Sequence, residues 1–446
     1  MRGALQMPAV LPRFARRACP ALLLPACLLL SACVLPGQGA GDGPAAMQRF
    51  SPTDPALPRA GAQQTLIDEL RARKSILPPG GRYATIADAV LRATSGAAQA
   101  ELQMAQLQAE ARAKNWLPTL GPRVSLTSLG TVVAQILLEQ AILDHGRRKA
   151  ERAHPAADVE VAAVKLSAAM NARVHDGLQA YVLAERARAQ AAVAERAVQR
   201  LQGFEDIVNM RVQGGLSDRS EQNIIAQSRA EMQASLASDR QAVDQALQDL
   251  AQLAGRPLPG LGGLDPLPAD VGQPEPLSVL MARAEGARSL AEAQMAQAGL
   301  LPGLTASVGL DQDGTASPGL TLGGAGLGLG TGAQLRAAKA APDLVERRSA
   351  EARDLAQRQV TATTAEIAAL QLRQAQGAEV LRQTQSNLAL FAEQYRLGGR
   401  SLLDLVSQYQ AAARLERDQT AIGYDIALLQ LRLARDRGSL VDGGQL

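Results

Sequence analysis

The sequence is short of the residues that build a compact core or a reactive centre. In 446 residues it has one Trp, five Tyr and four Phe, three His and three Cys. So few aromatics, in a chain dominated by Ala, Gln, Leu and Arg, point away from a large-residue globular core and toward long, closely packed helices. All three cysteines, Cys19, Cys27 and Cys33, fall at the N-terminal end. The body after Cys33 therefore has no disulfide, no thiolate metal site and no thiol to oxidise, and suits an oxidising compartment. His145, His154 and His175 form no His-Glu-x-x-His pattern and stand near no carboxylate cluster at ligand spacing, so they read as solvated helix residues. Gly326-Leu327-Gly328-Leu329-Gly330-Thr331-Gly332 is glycine-rich, but fits no Gly-x-Gly-x-x-Gly register and is not followed by Lys-Ser/Thr. No catalytic residue, cofactor or metal is expected. Excess charge is also lacking. The net charge is +3, the first 33 residues hold Arg2, Arg13, Arg16 and Arg17 and no acid, and the remainder is therefore at 3 − 4 = −1. Nucleic acid is not an expected partner.

The N-terminus carries a signal. After the arginines comes an apolar run, Ala21 to Leu30, then Leu30-Ser31-Ala32-Cys33. A charged start, a short apolar stretch and small residues before a cut make a secretory signal, and the run is too short to span a bilayer as a helix. Leu-Ser-Ala-Cys resembles a bacterial lipobox. The resemblance implies cleavage before Cys33 and acylation of its thiol and new amino group; an ordinary signal with an incidental cysteine is the other reading. Several acyl chains together anchor durably where one does not.

The body repeats itself. Leu117-Pro118-Thr119-Leu120 returns as Leu301-Pro302-Gly303-Leu304, a step of 184 (301 − 117). Asp144-His145-Gly146-Arg147 is matched by Gly330-Thr331-Gly332-Ala333, Pro155 by Pro342, and Gly214-Gly215-Leu216-Ser217 by Gly398-Gly399-Arg400-Ser401. This is a tandem duplication, with units far longer than a solenoid repeat. The division expected is 1–32 signal peptide, 33–82 lipidated linker, 83–260 first repeat, 261–276 linker, 277–440 second repeat and 441–446 tail. Each half reads as helix, strand pair, long helix, glycine turn and return helix. The first helices are expected at ~84–116 and ~277–300, the long ones at ~155–212 and ~342–396, and the return helices at ~217–254 and ~401–437. Val193, Ala197, Leu201, Phe204 and Val208 recur at steps of 3 and 4, as do Ile422, Ile426, Leu429 and Leu433, which suits coiled-coil packing. Pro155 and Pro342 fit the first position of their helices, with a kink as the alternative.

The strand pairs alternate. Leu304, Ala306, Val308 and Leu310 alternate with Thr305, Ser307, Gly309 and Asp311, and Leu320 and Leu322 with Thr321 and Gly323. That is the pattern of a transmembrane β-barrel strand. Val124 and Leu126 alternate more briefly, and Val132 to Leu143 is almost continuously apolar, open to a strand or a helix start. Four strands cannot close a barrel, and open edges cannot face lipid. Strands in a membrane would have to be shared between chains, and three chains give twelve. The strands lack the aromatic girdles usual in barrels.

Two repeats of this form, with Ala111-Arg112-Ala113 through Leu117-Pro118, the Asp144-His145-Gly146-Arg147 entry, the glycine turns and Leu250-Ala251-Gln252-Leu253-Ala254-Gly255, resemble the TolC-like outer-membrane efflux proteins. The resemblance runs from about Tyr83 to Gly438 and is to the lipoprotein subtype. It implies a mainly α fold with a small β part: a long coiled-coil α-helical barrel plus short β-barrel strands, four per chain, closing only as a trimer. It implies a passive exit duct for an efflux or type I secretion system, not an enzyme. The expected partners are two further copies, a periplasmic adaptor protein, an inner-membrane pump or secretion ATPase, and outer-membrane lipid. The location implied is the outer membrane, with a lipid anchor and a periplasmic helical body. A lipid-anchored periplasmic coiled-coil binding protein without a pore is the alternative.

The resemblance also places a site. Tyr395-Arg396-Leu397-Gly398-Gly399-Arg400-Ser401-Leu402-Leu403-Asp404 is similar to the family's second periplasmic tip. It implies that Tyr395 and Arg400 hold a closed aperture and that Asp404 forms an acidic ring. The bland alternative is that Arg400 and Asp404 are a surface pair four residues apart, worth about 0.3–0.5 kcal/mol. In the first half, the 184-residue step puts Ser220 in the Asp404 position with Glu221 beside it. Gly214, Gly215, Leu216, Leu397, Gly398 and Gly399 are the expected adaptor-facing tips. Trp116 reads either as an anchor where helix meets barrel or as simple packing.

Overall fold

The computed structural model describes residues 66–126, 132–268, 273–311, 313–324 and 328–445. The elements run in the order α1 (Leu66–Arg71), α2 (Arg82–Arg92), α3 (Ala97–Ala113), β1 (Thr119–Leu126), β2 (Val132–Leu143), α4 (Arg147–Gln213), α5 (Arg219–Ala254), α6 (Leu277–Gly299), β3 (Gly303–Asp311), β4 (Ala316–Gly323), α7 (Thr331–Arg396) and α8 (Leu402–Asp436), with a short 3-10 turn at Gly443–Gln445. From α3 onward the second half repeats the order of the first.

The two long helices have 67 and 66 residues, or roughly 100 Å each at 1.5 Å per residue. They begin earlier than the prolines suggested. Pro155 and Pro342 lie inside α4 and α7 rather than at their first positions. For α4 the reason lies upstream: the Asp144 carboxylate accepts from the backbone N–H of Gly146 and of Arg148, at 3.1 and 2.9 Å. Gly146 takes φ 83° to make that turn. The cap starts α4 at Arg147, and the good helix formers that follow carry it through the proline, whose missing N–H costs one ladder bond. Asp158 therefore lies inside α4, where it pairs with His154 at 3.2 Å. The helix expected at ~84–116 is two helices. Thr94-Ser95-Gly96 breaks it, with Gly96 at φ 71°, a backbone open chiefly to glycine.

The scarce aromatics sit at packing nodes. Tyr83 and Tyr181 meet edge to face with centroids 6.2 Å apart, in an apolar core where α2, α4, the end of α5 and α8 converge. The inter-repeat linker is clamped there: Tyr181 Oη donates to the Gly263 carbonyl and Gly263 N–H donates to Glu185, both at 2.6 Å. Asp265 accepts from the Tyr83 N–H and from Arg82, each at 3.0 Å. Leu258, Leu261, Leu264 and Leu267 pack on the same core, so the chain is held there from the end of the first repeat through the first part of the linker. A second core lies at the other end of the long helices, around Phe204, Tyr395 and Tyr409.

The strands form one antiparallel sheet in the order β1-β2-β3-β4. Val132–Leu143 is a strand, not a helix start, because it pairs on both sides, with β1 and with β3. No helix among the described residues is long and apolar enough to cross a membrane.

Candidate functional site

Two regions carry the features from which a function can be read: the sheet at one end of the long helices and the paired turns at the other.

In an antiparallel sheet, residues directly opposite each other share a face. Leu120 lies opposite Leu138, Leu138 opposite Val308, and Val308 opposite Pro318. Pro122, Ile136, Leu310 and Ala316 form the next row of the same face, and Leu322, Leu304, Ala306 and Leu320 belong to it as well. Leu120, Leu320 and Leu322 are 71–73% exposed in the single chain. The opposite face carries Thr119, Gly121, Arg123, Gln135, Glu139, Thr305, Ser307, Gly309, Asp311, Ser317 and Thr321, interrupted by the apolar Leu137 and Ala141. One face is a continuous apolar sheet open to its surroundings; the other is polar. On the apolar face Gln140 is the exception, and its amide donates to the Trp116 carbonyl at 3.1 Å. Trp116, three residues before β1, is 60% exposed in the single chain. The strands have 8, 12, 9 and 8 residues, near the 9–11 of a tilted membrane-spanning strand. Among the described residues the outer edges of β1 and β4 have no partner strand, which in lipid would leave their backbone groups unbonded.

At the far end, α4 and α7 finish in the same turn. Gly215 and Gly398 take φ 73° and 79°. The N–H of Leu216 reaches back to the Arg211 carbonyl at 2.8 Å, and that of Gly399 to the Gln394 carbonyl at 2.9 Å, the six-to-one bond of a glycine helix stop. Leu216 and Leu397 project from the turns, 74% and 78% exposed. The return helices are capped alike. Asp218 accepts from the N–H of Ser220 and Glu221, at 2.9 and 3.1 Å, and Ser401 accepts from the N–H of Asp404 at 3.2 Å. Bonds to Ser220 and Glu221 hold the Asp218 carboxyl below the usual range.

This geometry corrects the alignment of the two tips. The caps are 183 residues apart (401 − 218), not 184. Asp404 and Glu221 are each the third residue of a return helix. Glu221, placed by the sequence beside the Asp404 position, therefore stands at that position itself, and Ser220 matches Leu403. Glu221 accepts a hydrogen bond from Ser217, while the Asp404 side chain is exposed.

Tyr395 is buried, and the Arg211 guanidinium lies 5.0 Å from its ring centroid. Burial pushes its hydroxyl pKa up, partly offset by the Arg211 charge. Arg400 does not join this pair, nor does it turn to Asp404. It lies over Phe391 at 4.7 Å and donates to Gln394 at 3.1 Å. Arg211, Phe391 and Gln394 were not singled out from the sequence; a lone Arg at a helix end gives no sign of the ring it will cover. Cys33 lies outside the described residues. Among the described residues no group of three or more His, Cys, Asp or Glu side chains is placed to hold a metal.

No family model matches the sequence, and no curated protein does. Solved structures do match. The outer-membrane channel OprN is 17% identical, with 83% of this chain covering 93% of that one at a TM-score of 0.71. A membrane protein from Pseudomonas aeruginosa is 16% identical, covering 87% and 97%, at 0.72. The open state of the MtrE outer-membrane channel from Neisseria gonorrhoeae is 19% identical, covering 82% and 91%, at 0.65. These matches define the class: a long helical body joined to a small antiparallel sheet, the fold of the outer-membrane channels. Within it, the two-repeat body with paired glycine tips is the TolC-like fold that the sequence resembles.

Proposed function

We propose that this protein is a trimeric outer-membrane channel, a passive exit duct for an efflux or type I secretion system. The observation that carries this reading is the two-faced sheet with open edges. An exposed apolar face suits lipid, the polar face suits a water-filled lumen, and both edges close only if β4 of one copy pairs with β1 of the next. Three copies supply twelve strands. The long helix α7 supports the same reading: of its 66 residues, Thr363, Leu388 and Tyr395 are its buried ones, while Leu344, Leu355 and Val380 stay exposed. Leu344, Leu355 and Val380 fall within about 20° of each other on an ideal helix, and the likewise exposed Leu372 and Leu390 lie about 80° to one side, an apolar surface that another copy would cover. Neighbours of this fold being channels adds to that support.

In this reading residues 1–32 are removed, Cys33 carries the lipid, and the helical body stands in the periplasm. The tips around Gly214, Gly215, Leu216, Leu397, Gly398 and Gly399 meet an adaptor protein linked to an inner-membrane pump or secretion ATPase. Tyr395, Arg400, Asp404, Ser220 and Glu221 border the aperture, with Arg211 added by the geometry. The test is reconstitution of the purified protein in planar bilayers, with its mass in detergent measured by light scattering. A trimer that conducts in discrete steps is expected. A stable monomer that never conducts, even with its tips altered, overturns the channel and leaves a periplasmic binding protein.

A further inference from the structure

The polar face of the sheet holds three charged residues, and register separates them. Arg123 lies opposite Gln135, and Gln135 opposite Asp311, so one acid and one base share a row. Glu139 stands four residues along β2, opposite Thr119 on one side and Ser307 on the other, with Gly319 beyond. Its row holds no cation. Arg123 is about 13 Å away along the strand direction at ~3.3 Å per residue, more than the ~8 Å over which physiological salt screens an exposed charge. Among the described residues the Glu139 carboxylate has no hydrogen bond or ion pair; the contact made here is to its backbone carbonyl, from Thr119. Closing the sheet with further copies would not supply a cation either. The strands that would meet at the seam are β1 and β4, and β4 (Ala-Ser-Pro-Gly-Leu-Thr-Leu-Gly) has no charge while β1 has Arg123 as its one charge.

We infer that Glu139 is the ion-selectivity residue of the barrel section of the pore, an uncompensated acidic ring that favours cations over anions at the helix-side mouth of the sheet. The inference rests on the trimeric-channel reading. Three carboxylates around a narrow polar wall focus a negative field that raises local cation concentration, whereas the Arg123–Asp311 row, carrying one charge of each sign, contributes little net field. The ring is distinct from the acids at the tips, which lie at the opposite end of α4.

The experiment measures the reversal potential of reconstituted trimers under a potassium chloride gradient. A background of Glu221→Gln with Asp404→Asn keeps the tip acids from masking the effect. Glu139→Gln should lower the potassium-to-chloride permeability ratio by about twofold or more, and Glu139→Asp should preserve it. The described body has no cysteine, so Glu139→Cys can be labelled on the assembled channel. A sulfonate-bearing thiol reagent should restore cation preference and a trimethylammonium one should reverse it. Equal ratios for wild type and Glu139→Gln, or labels of opposite charge acting alike, overturn the inference while the channel stands. Failure of the unaltered protein to form a conducting trimer removes the channel reading and this inference with it.

Discussion

The guanidinium of Arg211, at the end of α4, lies over the ring of Tyr395, at the end of α7, 5.0 Å from its centroid. This contact joins the first helical hairpin of the chain to the second at the tip, while Arg400 stays within its own hairpin. A cation over an aromatic ring is worth about 0.5–1 kcal/mol at an exposed site and more when desolvated, and a trimer has three. Arg211→Gln should therefore raise the open probability or conductance of single channels. Tyr395→Phe keeps the ring and should do less. Single-channel recording checks this. A large effect from Arg400→Ser with none from Arg211→Gln would instead place the closing contacts between chains.

Glu221 and Asp404 occupy equivalent positions in the two return helices. A trimer would bring six such acids to the aperture rather than three. Either Glu221→Gln or Asp404→Asn alone should weaken block by a multivalent cation added at the tip side, and the double change should abolish it. Titrating single channels with hexamminecobalt(III) reads this directly; block that survives the double change removes both residues from the aperture.

Leu344 and Leu355 on α7 are 49% and 55% exposed and eleven residues apart, nearly the same face of a helix. Leu344→Glu with Leu355→Glu should dissociate the proposed trimer, because a carboxylate in an apolar contact loses its hydration. The helical circular dichroism should remain, since neither side chain supports the core of the single chain. Light scattering showing an intact trimer would mean that this stripe faces solvent in the assembly.

The proposed lipid anchor rests on Leu30-Ser31-Ala32-Cys33. Cys33→Ser should give a protein that is either uncleaved or released from membranes. Mass spectrometry of the mature N-terminus decides the matter: an unmodified Cys33, or a start elsewhere, excludes acylation.

His175, in the middle of α4, is not solvated as its sequence setting suggests but buried, beside Asp176 at 3.4 Å. Burial lowers its pKa, opposed by the hydrogen bond to Asp176 and reinforced by Arg435. The fold thus favours the neutral ring, and the unfolded chain binds the extra proton more readily below about pH 6.5. The contribution to stability is present above that pH and is lost as pH falls through the unfolded value toward the folded one. Thermal unfolding should occur at lower temperature at pH 5 than at pH 7.5, and His175→Gln should narrow the difference. An unchanged difference would assign it to other groups.

The long helices, the glycine turns and the duplication are legible in the sequence because each follows from local chemistry: Ala-rich runs at helical spacing, glycine where φ is positive, serine at a cap. What was not legible depended on pairing across distance. Val132–Leu143 shows its two-faced character only when Gln135 and Glu139 are set beside Arg123 and Thr119 by register. Pro155 misled because a proline at a first helical turn and one inside a helix look alike until Asp144 is seen capping Gly146. The Glu221 match was hidden by a difference of one residue between α4 and α7, which moves the second tip from a step of 184 to 183. The partner of Tyr395 was hidden because Arg211 lies on another helix, 184 residues earlier (395 − 211).

The β2–β3 ladder joins the hairpin of one half to the hairpin of the other inside a single chain. Thr119 faces Glu139 in the first hairpin, and Gly303 faces Gly323 at the same place in the second. Six identical hairpins around an axis would have to repeat every side chain six times, so a carboxylate placed there would crowd the opening with six negative groups. Fusing two hairpins lets them diverge, with glutamate in one and a bare glycine in the other. In the proposed trimer the wall would then alternate charged and empty sectors, and the field at its centre could be adjusted by evolution in threes without narrowing the bore.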